Sequence, residues 1–236
     1  MYRISLWKFF YCINICTWLL ASADAQTNQF KTEGTAAFEL YRILHQDPEL
    51  GKKEFHTSSL LKKRLIEAGI TEFHSVPGLP TAVIAVLDTH KPGPVIALRA
   101  EMDARPDTEA TGLAYASKIP GIMHSCGHDA HAAILCTAAT YLKKHSDAVS
   151  GKILFVFQPA EEVKGGADDI VNSGILTQLG VEAMFALRSQ RPDCWHDKHL
   201  TGFCNGREQL LHCKINRPRR SRRGSSGNVR PAGFNC

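Results

Sequence analysis

Short apolar runs alternate with segments of helical periodicity along most of the chain. Runs rich in branched and aromatic side chains predict buried strands, since strands covered on both faces read as continuous apolar stretches; they span residues 81–87, 94–98, 152–158 and 182–187. Apolar positions three and four residues apart predict helices at residues 36–44, 57–68, 130–142 and 167–172. This alternation predicts an α/β fold with a mostly parallel sheet covered by helices.

Carboxylates follow two of the predicted strands. The segment 95–103 ends on Asp103, and Glu161 and Glu162 come shortly after the strand at residues 152–158. Catalytic groups and ligands collect at the carboxyl ends of strands in open α/β sheets. Adjacent glutamates point in different directions, so one can bind a metal ion while the other accepts a proton from water. We expect these strand ends to form one site.

The segment 123–131 combines a thiol, three imidazoles and a carboxylate just before an apolar helical pattern. Cys126 and His128 would point in different directions on one helix, so they can bind one ion only from a loop, which Gly127 permits. Asp129 is a good N-cap for the helix that follows. Thiolate and neutral imidazole are good ligands for zinc-like ions, so this segment predicts a metal site.

Each of these assignments has a structural alternative. Cys126 and His128 could be a buried thiol beside a surface histidine, and the two glutamates could complement a helix dipole. Asp103 could cap a turn instead of orienting a ligand histidine. His124 and His131 are expected to make polar or substrate contacts and are not needed as ligands. His45 and Glu49 are expected to serve local packing and solvation.

Several motifs occur in the order and at the spacing of one enzyme family. They are residues 44–50 (LHQDPEL), 97–104 (ALRAEMDA), 111–116 (TGLAYA), 126–129 (CGHD) and 158–162 (QPAEE). Over about residues 36–187 the chain resembles the metallo-amidohydrolases that include hippurate hydrolase, N-acyl-amino-acid amidohydrolases and auxin-conjugate hydrolases, within the aminoacylase and carboxypeptidase group. The resemblance implies that residues 26–187 are the N-terminal part of a di-metal, aminopeptidase-like catalytic domain, truncated in this chain.

The resemblance also implies a reaction. It is hydrolysis of the amide bond of a small N-acyl amino acid or dipeptide-like substrate, with two divalent ions, zinc or manganese. Cys126, His128 and Glu162 are the implied metal ligands, Glu161 is the implied general base, and Asp103 is the second implied catalytic residue. Members of the family dimerise through an inserted lid domain, which this chain is not expected to contain.

One ligand position of the family differs in this chain. Arg188 stands where the resemblance predicts a further ligand histidine. A guanidinium has no acceptor atom and keeps its proton in proteins, so Arg188 cannot coordinate a cation. The remaining family histidine lies in a C-terminal segment without a counterpart here. The chain is therefore expected to be a hydrolase with impaired activity. The alternative is a catalytically inactive truncated product, or a remnant that binds a metal or a ligand.

The basic charge of the chain is concentrated in residues 188–236. This tail carries 11 of the 28 Lys and Arg but only 3 of the 23 Asp and Glu. Its run 217–227 has no interleaved aromatic residues and no recognisable binding fold, so a nucleic-acid partner is not expected. Synonymous codons for residues 217–226, read one base later, can encode Gly-Arg-Gly-Gly-His-Gly-Ala-Ala-Pro-Gln, which resembles the start of the family's lid or dimerisation domain. The hypothesis is a frameshift, with residues 213–216 still in frame as the preceding strand.

Residues 1–25 predict a secretory signal peptide. Arg3 and Lys8 flank the start of an apolar stretch at residues 9–21, and a small-x-small cleavage pattern follows. The prediction is export, to the periplasm or the medium, without membrane association after cleavage. An uncleaved anchor is the alternative, although the stretch is short for a membrane span. Cys136, on the predicted helix at residues 130–142, is expected to be a small core residue.

Overall fold

The computed structural model describes residues 32–186 and the short segment 214–216 of the 236-residue chain. The predicted signal peptide, Arg188 and nearly all of the basic tail lie outside these described residues. Export, the frameshift and the replaced histidine position therefore stay predictions.

A six-stranded mixed sheet forms the centre of the fold, in the order β1-β2-β4-β3-β5-β6. Its strands are β1 (Glu72–His74), β2 (Val83–Asp88), β3 (Val95–Glu101), β4 (Lys152–Gln158), β5 (Ala183–Ala186) and β6 (Lys214–Asn216). The central strands β4, β3 and β5 are parallel, whereas β1, β2 and β6 run antiparallel to their neighbours. The predicted α/β class is confirmed, and β6 lies where the sequence predicts a strand at residues 213–216.

The sheet is less parallel than the sequence pattern predicted, because β2 and β3 are joined by only residues 89–94. A parallel crossover needs a dozen or more residues, so this short connection can only reverse the chain direction. β4 then inserts between the two strands, antiparallel to β2 and parallel to β3. The parallel prediction holds for the three central strands, which are the ones that carry the candidate site.

Helices cover both faces of the sheet. They are α1 at residues 32–46, α2 (Phe55–Glu67), α3 (His128–Lys144), α4 (Gly166–Asn172) and α5 (Ile175–Gln178), with a 3₁₀ turn at Ser146–Ala148. The pleat of β4 directs Phe155 and Phe157 into a core with α1, α2 and α3, and Leu154 and Val156 into a second core with α4 and α5. Cys136 is buried in the first core, as predicted. None of the described helices is long and apolar enough to cross a membrane.

The start of α3 differs from the predicted one. Gly127 is the N-cap residue, with a φ of 78° that glycine adopts without a Cβ clash, and the helix begins at His128. Asp129 lies inside the first turn, where its carboxylate accepts a hydrogen bond from the N–H of Ala130 at 2.8 Å and another from the ring of His45. The prediction of Asp129 as the N-cap is therefore wrong, because the chain has already turned into the helix at Gly127.

Candidate metal centre

The carboxyl ends of β3 and β4 lie level with each other, because their parallel register pairs Glu101 with Gln158. The chain continues from β3 to Asp103 and from β4 to the glutamates at positions 161 and 162. α3 begins beside these strand ends, since the ring of His128 contacts Asp103. Three segments distant in sequence thus bring imidazole and carboxylate groups to one edge of the sheet.

His128, Glu161 and Glu162 form a group of potential metal ligands, with one ligand atom from each within 4.8 Å of the others. The Nε2 atom of His128 lies 3.9 Å from Oε2 of Glu161. His128 is buried, whereas both glutamates are partly exposed. The group therefore has a solvent-facing side through which an ion or a substrate can enter.

Asp103 contacts the far side of the His128 ring, as the sequence predicts for a residue that orients a ligand. The Nδ1 atom of His128 lies 3.0 Å from the main-chain oxygen of Asp103 and 3.1 Å from its Oδ1. Both partners are acceptors, so Nδ1 carries a proton and Nε2 faces the glutamates. Burial acts to raise the pKa of Asp103, but the hydrogen bonds from His128 and from the N–H of Glu162, at 2.9 Å, outweigh it and lower the pKa.

Cys126 adjoins the group without being part of it. Its thiol lies against the carboxylate of Glu162 and near the guanidinium of Arg105. Cys126 is exposed, yet desolvation of its thiol by the surrounding atoms and the neighbouring carboxylate raise its pKa to about 11. The sulfur therefore keeps its proton at neutral pH, and it becomes a thiolate ligand only when a cation displaces that proton.

A second carboxylate–histidine pair lies behind the first and was not singled out from the sequence. Glu101 accepts a hydrogen bond from Nδ1 of His131 at 2.9 Å and is paired with Arg99, which also donates from Nε and Nη2 to Gln158 at 2.9 and 2.7 Å. Burial acts to raise the pKa of Glu101, but His131 and Arg99 bring it down to about 2. The signal available in the sequence was a second carboxylate at the end of the predicted strand, two residues before Asp103.

The turn that presents the two glutamates is held by Glu54, which the sequence reasoning also missed. Ala160, directly before Glu161, has a φ of 56°, and its N–H donates to Oε1 of Glu54 at 2.8 Å. Glu54 is fully buried, and that burial raises its pKa. A Cβ at Gly166 would lie 2.7 Å from the carbonyl oxygen of Ala160, so only glycine allows this close approach. The position of the glutamates depends on these contacts.

His45 and Glu49 make structural contacts, in agreement with the prediction. Nδ1 of His45 lies 2.6 Å from Oδ2 of Asp129, and Nε2 lies 3.2 Å from Oε1 of Glu109. The hydrogen bond to Asp129 is the main cause that raises the pKa of His45. Glu49 accepts two main-chain N–H groups at the start of α2, at 3.0 and 2.7 Å. These contacts join α1 to α3 and cap α2.

His124 is buried near the site, and neither of its ring nitrogens has a hydrogen-bond partner among the described residues. Burial lowers its pKa, so the ring is neutral at pH 7. A buried imidazole without partners is costly. A buried imidazole without a hydrogen-bond partner among the described residues therefore lies near the candidate ligands, in addition to the two partly exposed carboxylates.

The donor set fits a divalent cation. It offers an imidazole nitrogen, two carboxylates and an adjoining thiol, a combination that suits zinc, while manganese accepts its oxygen and nitrogen members. The contact of His128 with Asp103 is the kind that fixes a metal-binding histidine. Within residues 32–186 this group provides for one ion, and a second ion would have to share these ligands or use others.

The chain belongs to peptidase family M20/M25/M40, whose sequence profile matches residues 97–221. It is 48% identical over 152 residues to an N-acetyl-L-cysteine deacetylase of Bacillus subtilis (strain 168), covering 64% of this chain and 35% of that protein. It is 40% identical over 190 residues to the IAA-amino acid hydrolase ILR1-like 5 of Arabidopsis thaliana, covering 80% of this chain and 41% of that protein. The chain thus spans roughly two fifths of the length of these curated relatives.

A solved structure confirms the fold. The Bacillus subtilis YXEP protein, described as a dinuclear metal-binding peptidase of the M20 family, superposes with a TM-score of 0.64 at 40% identity, covering 68% of this chain and 44% of that one. The predicted family resemblance is confirmed by this match and by the sequence profile. The individual roles assigned to Cys126, His128, Glu161, Glu162 and Asp103 stay predictions.

Proposed function

We propose that this site is that of a metal-dependent hydrolase for the amide bond of small N-acyl amino acids or dipeptide-like compounds. The observation that carries the proposal is the convergence of His128, Glu161 and Glu162 at the carboxyl ends of parallel strands, with Asp103 bonded to the far nitrogen of the histidine. That arrangement leaves one imidazole nitrogen and two carboxylates directed at a common point open to solvent.

Each residue has a proposed role. His128, Glu162 and Cys126 hold a divalent cation, zinc or manganese, and Asp103 keeps His128 in the tautomer that ligation requires. A cation bound there supplies positive charge that acidifies water and polarises the amide carbonyl. Glu161 accepts the proton of the attacking water and passes it to the leaving amine nitrogen. The YXEP protein is described as a dinuclear metal-binding peptidase, which supports an expectation of two ions.

The substrate class rests on the relatives. The similar proteins are named as a deacetylase of N-acetyl-L-cysteine and as a hydrolase of conjugates between IAA and amino acids. Both names describe an acyl group joined to an amino acid through an amide. We propose the same class for this chain, with no acyl group or amino acid singled out.

A second candidate is metal binding without turnover. It is favoured by Arg188, which stands at the position of a predicted ligand histidine, and by a described ligand group that provides for one ion. Loss of a ligand weakens the binding of an ion that would supply positive charge at the reacting carbonyl, so turnover in this chain is expected to be impaired. Dimerisation has no support among the described residues and is not proposed.

The experiment is a comparison of the purified chain with its Glu161→Gln and His128→Ala variants, with zinc or manganese added. Metal uptake is measured by calorimetry, and hydrolysis of N-acetyl and N-benzoyl amino acids by amine release. Glu161→Gln should keep much of the metal affinity and lose turnover, His128→Ala should lose both, and Glu67→Gln on the surface of α2 is the control. Uptake without hydrolysis in the unaltered chain favours the second candidate, and no uptake contradicts both.

We also propose that the chain is exported and that its tail is a frameshifted remnant. The support is the signal-like pattern of residues 1–25 and the motif that synonymous codons for residues 217–226 can encode when they are read one base later. N-terminal sequencing of the mature product tests the first idea. The codons of the gene test the second, which fails if they exclude the shifted motif.

A further inference from the structure

The guanidinium of Arg105 forms an ion pair with Glu162, a member of the candidate ligand group. Its Nη1 donates to Oε2 of Glu162 at 2.7 Å, and its Nε donates to Oδ2 of Asp107 at 3.0 Å. The side chain of Arg105 is 41% exposed, whereas that of Glu162 is 16% exposed. The guanidinium therefore lies on the solvent side of the ligand group, where a substrate would approach.

The position of Arg105 is fixed by the loop that carries Cys126. The main chain of Arg105 exchanges two hydrogen bonds with that of Met123, at 3.0 and 3.1 Å. Asp107, the second partner of the guanidinium, accepts a hydrogen bond from the hydroxyl of Ser125 at 2.6 Å. Arg105 is thus anchored through both its main chain and its side-chain partner, and its head group is held beside the ligands.

The guanidinium keeps hydrogen-bonding capacity in this arrangement. A guanidinium carries five N–H donors in a planar fork, and two of its three nitrogens donate to Asp107 and Glu162. Cys126 is a third hydrogen-bond partner of the guanidinium, and the five donors outnumber these three partners. A planar fork with unused donors matches the geometry of a carboxylate, which it can bind through two parallel hydrogen bonds.

The charges around Arg105 make anion binding there depend on whether Glu162 also binds a divalent metal ion. Without a cation, Glu162 and Asp107 place two negative charges against one positive charge, so a further anion is repelled. When Glu162 also binds a divalent ion, its charge is shared with that ion and the potential at Arg105 becomes positive. Cation and anion then strengthen each other's binding, and this coupling is reciprocal.

Resting on the proposed function, we infer that Arg105 is a specificity residue that binds the carboxylate of an N-acyl amino acid whose amide lies at the metal centre. In such a molecule one carbon atom separates the amide nitrogen from the carboxylate, so the two groups need binding partners that are nearly in contact. Arg105 and the candidate ligand Glu162 are in contact. Acids are therefore preferred over their neutral analogues, and the preference requires the metal.

The test uses two unreactive probes that differ in charge. 3-Benzoylpropionate copies N-benzoylglycine with a methylene in place of the amide nitrogen, and 1-phenylpentane-1,4-dione is its neutral counterpart. Calorimetry on the full zinc-loaded chain should find the acid bound about 10- to 100-fold more tightly, the size expected for a charge-assisted hydrogen-bonded pair. Arg105→Gln should lose this preference, and Arg105→Lys should keep part of it. Arg64→Gln, which removes one exposed charge from α2, should keep all of it.

The outcomes separate this inference from the proposed function. If zinc binds but the acid and the neutral ketone bind equally, or if Arg105→Gln keeps the preference, the carboxylate site is refuted while the metal site stands. If the acid is preferred equally with and without zinc, the proposed coupling through Glu162 is refuted. If zinc itself does not bind, the metal centre and the inference fail together.

Discussion

Replacement of Glu101 by glutamine is expected to destabilise the protein through the buried pair behind the candidate site. Glu101 is 6% exposed and is bonded to His131 and Arg99. Glutamine keeps the shape of the side chain but removes its charge. The two partners are then left with a neutral acceptor in a buried setting, which is a known cause of large losses of stability.

The magnitude follows from the pKa of Glu101. The contacts lower it from 4.5 to about 2. At about 1.4 kcal/mol for each pKa unit, that difference stabilises the folded state by about 3 kcal/mol at pH 7, as an order of magnitude. Because the folded pKa is below the unfolded one, the contribution is present above about pH 4.5 and decreases as the pH falls toward 2. At pH 3 about 1.4 kcal/mol should remain.

The assay is urea unfolding followed by circular dichroism at pH 7 and pH 3. Glu101→Gln should lower the free energy of unfolding by about 3 kcal/mol at pH 7 and by less than half of that at pH 3, with an unchanged dependence on urea. Glu67→Gln is the control, since the ion pairs of Glu67 with Lys63 and Arg64 are exposed and contribute little. Equal behaviour of both variants at pH 7, or the same loss for Glu101→Gln at both pH values, would contradict a stabilising charge on Glu101.

Three further predictions concern other contacts of the site. Asp103→Asn should weaken zinc binding about 10- to 100-fold in calorimetry, because it removes the negative charge of the acceptor that orients His128, and an unchanged affinity would contradict that role. Glu54→Ala should lower zinc affinity as well as stability, since Glu54 holds the turn before the glutamates; a loss of stability with full affinity would show that the turn keeps its shape without Glu54. His45→Gln should destabilise most below about pH 6.5 and progressively less as the pH rises through the elevated pKa of His45, and urea unfolding that shows the opposite trend would contradict a charged His45.

The sequence predicted the elements that have long apolar patterns. β4 was predicted with its observed bounds, and α2 and α3 within a few residues, because burial on two faces or on one helical face leaves a clear period. The direction of β2 was not predicted, although the short connection 89–94 contained the information. β1 is an edge strand of three residues, and so short a segment has no period to read.

The candidate ligands were predictable from residue type and spacing, whereas their supports were not. Cys126, His128 and the two glutamates belong to recognisable motifs, and strand ends in an α/β sheet gather such groups. Glu54 and Arg105 look like ordinary surface charges in the sequence. Their contacts with Ala160 and Glu162 span 106 and 57 residues, so they depend on tertiary packing that no local pattern encodes.

Cobalt binding is the sharpest test of a metal centre that includes Cys126, because a thiolate bonded to cobalt gives an absorption band that nitrogen and oxygen ligands do not. We expect this band in the full chain, its loss in Cys126→Ser, and loss of binding in His128→Ala. Cys136→Ser is the matched control and should keep the band, since Cys136 is buried in the core away from the site. A full chain that binds no cobalt, or a band that survives in Cys126→Ser, would contradict a metal centre built on these residues.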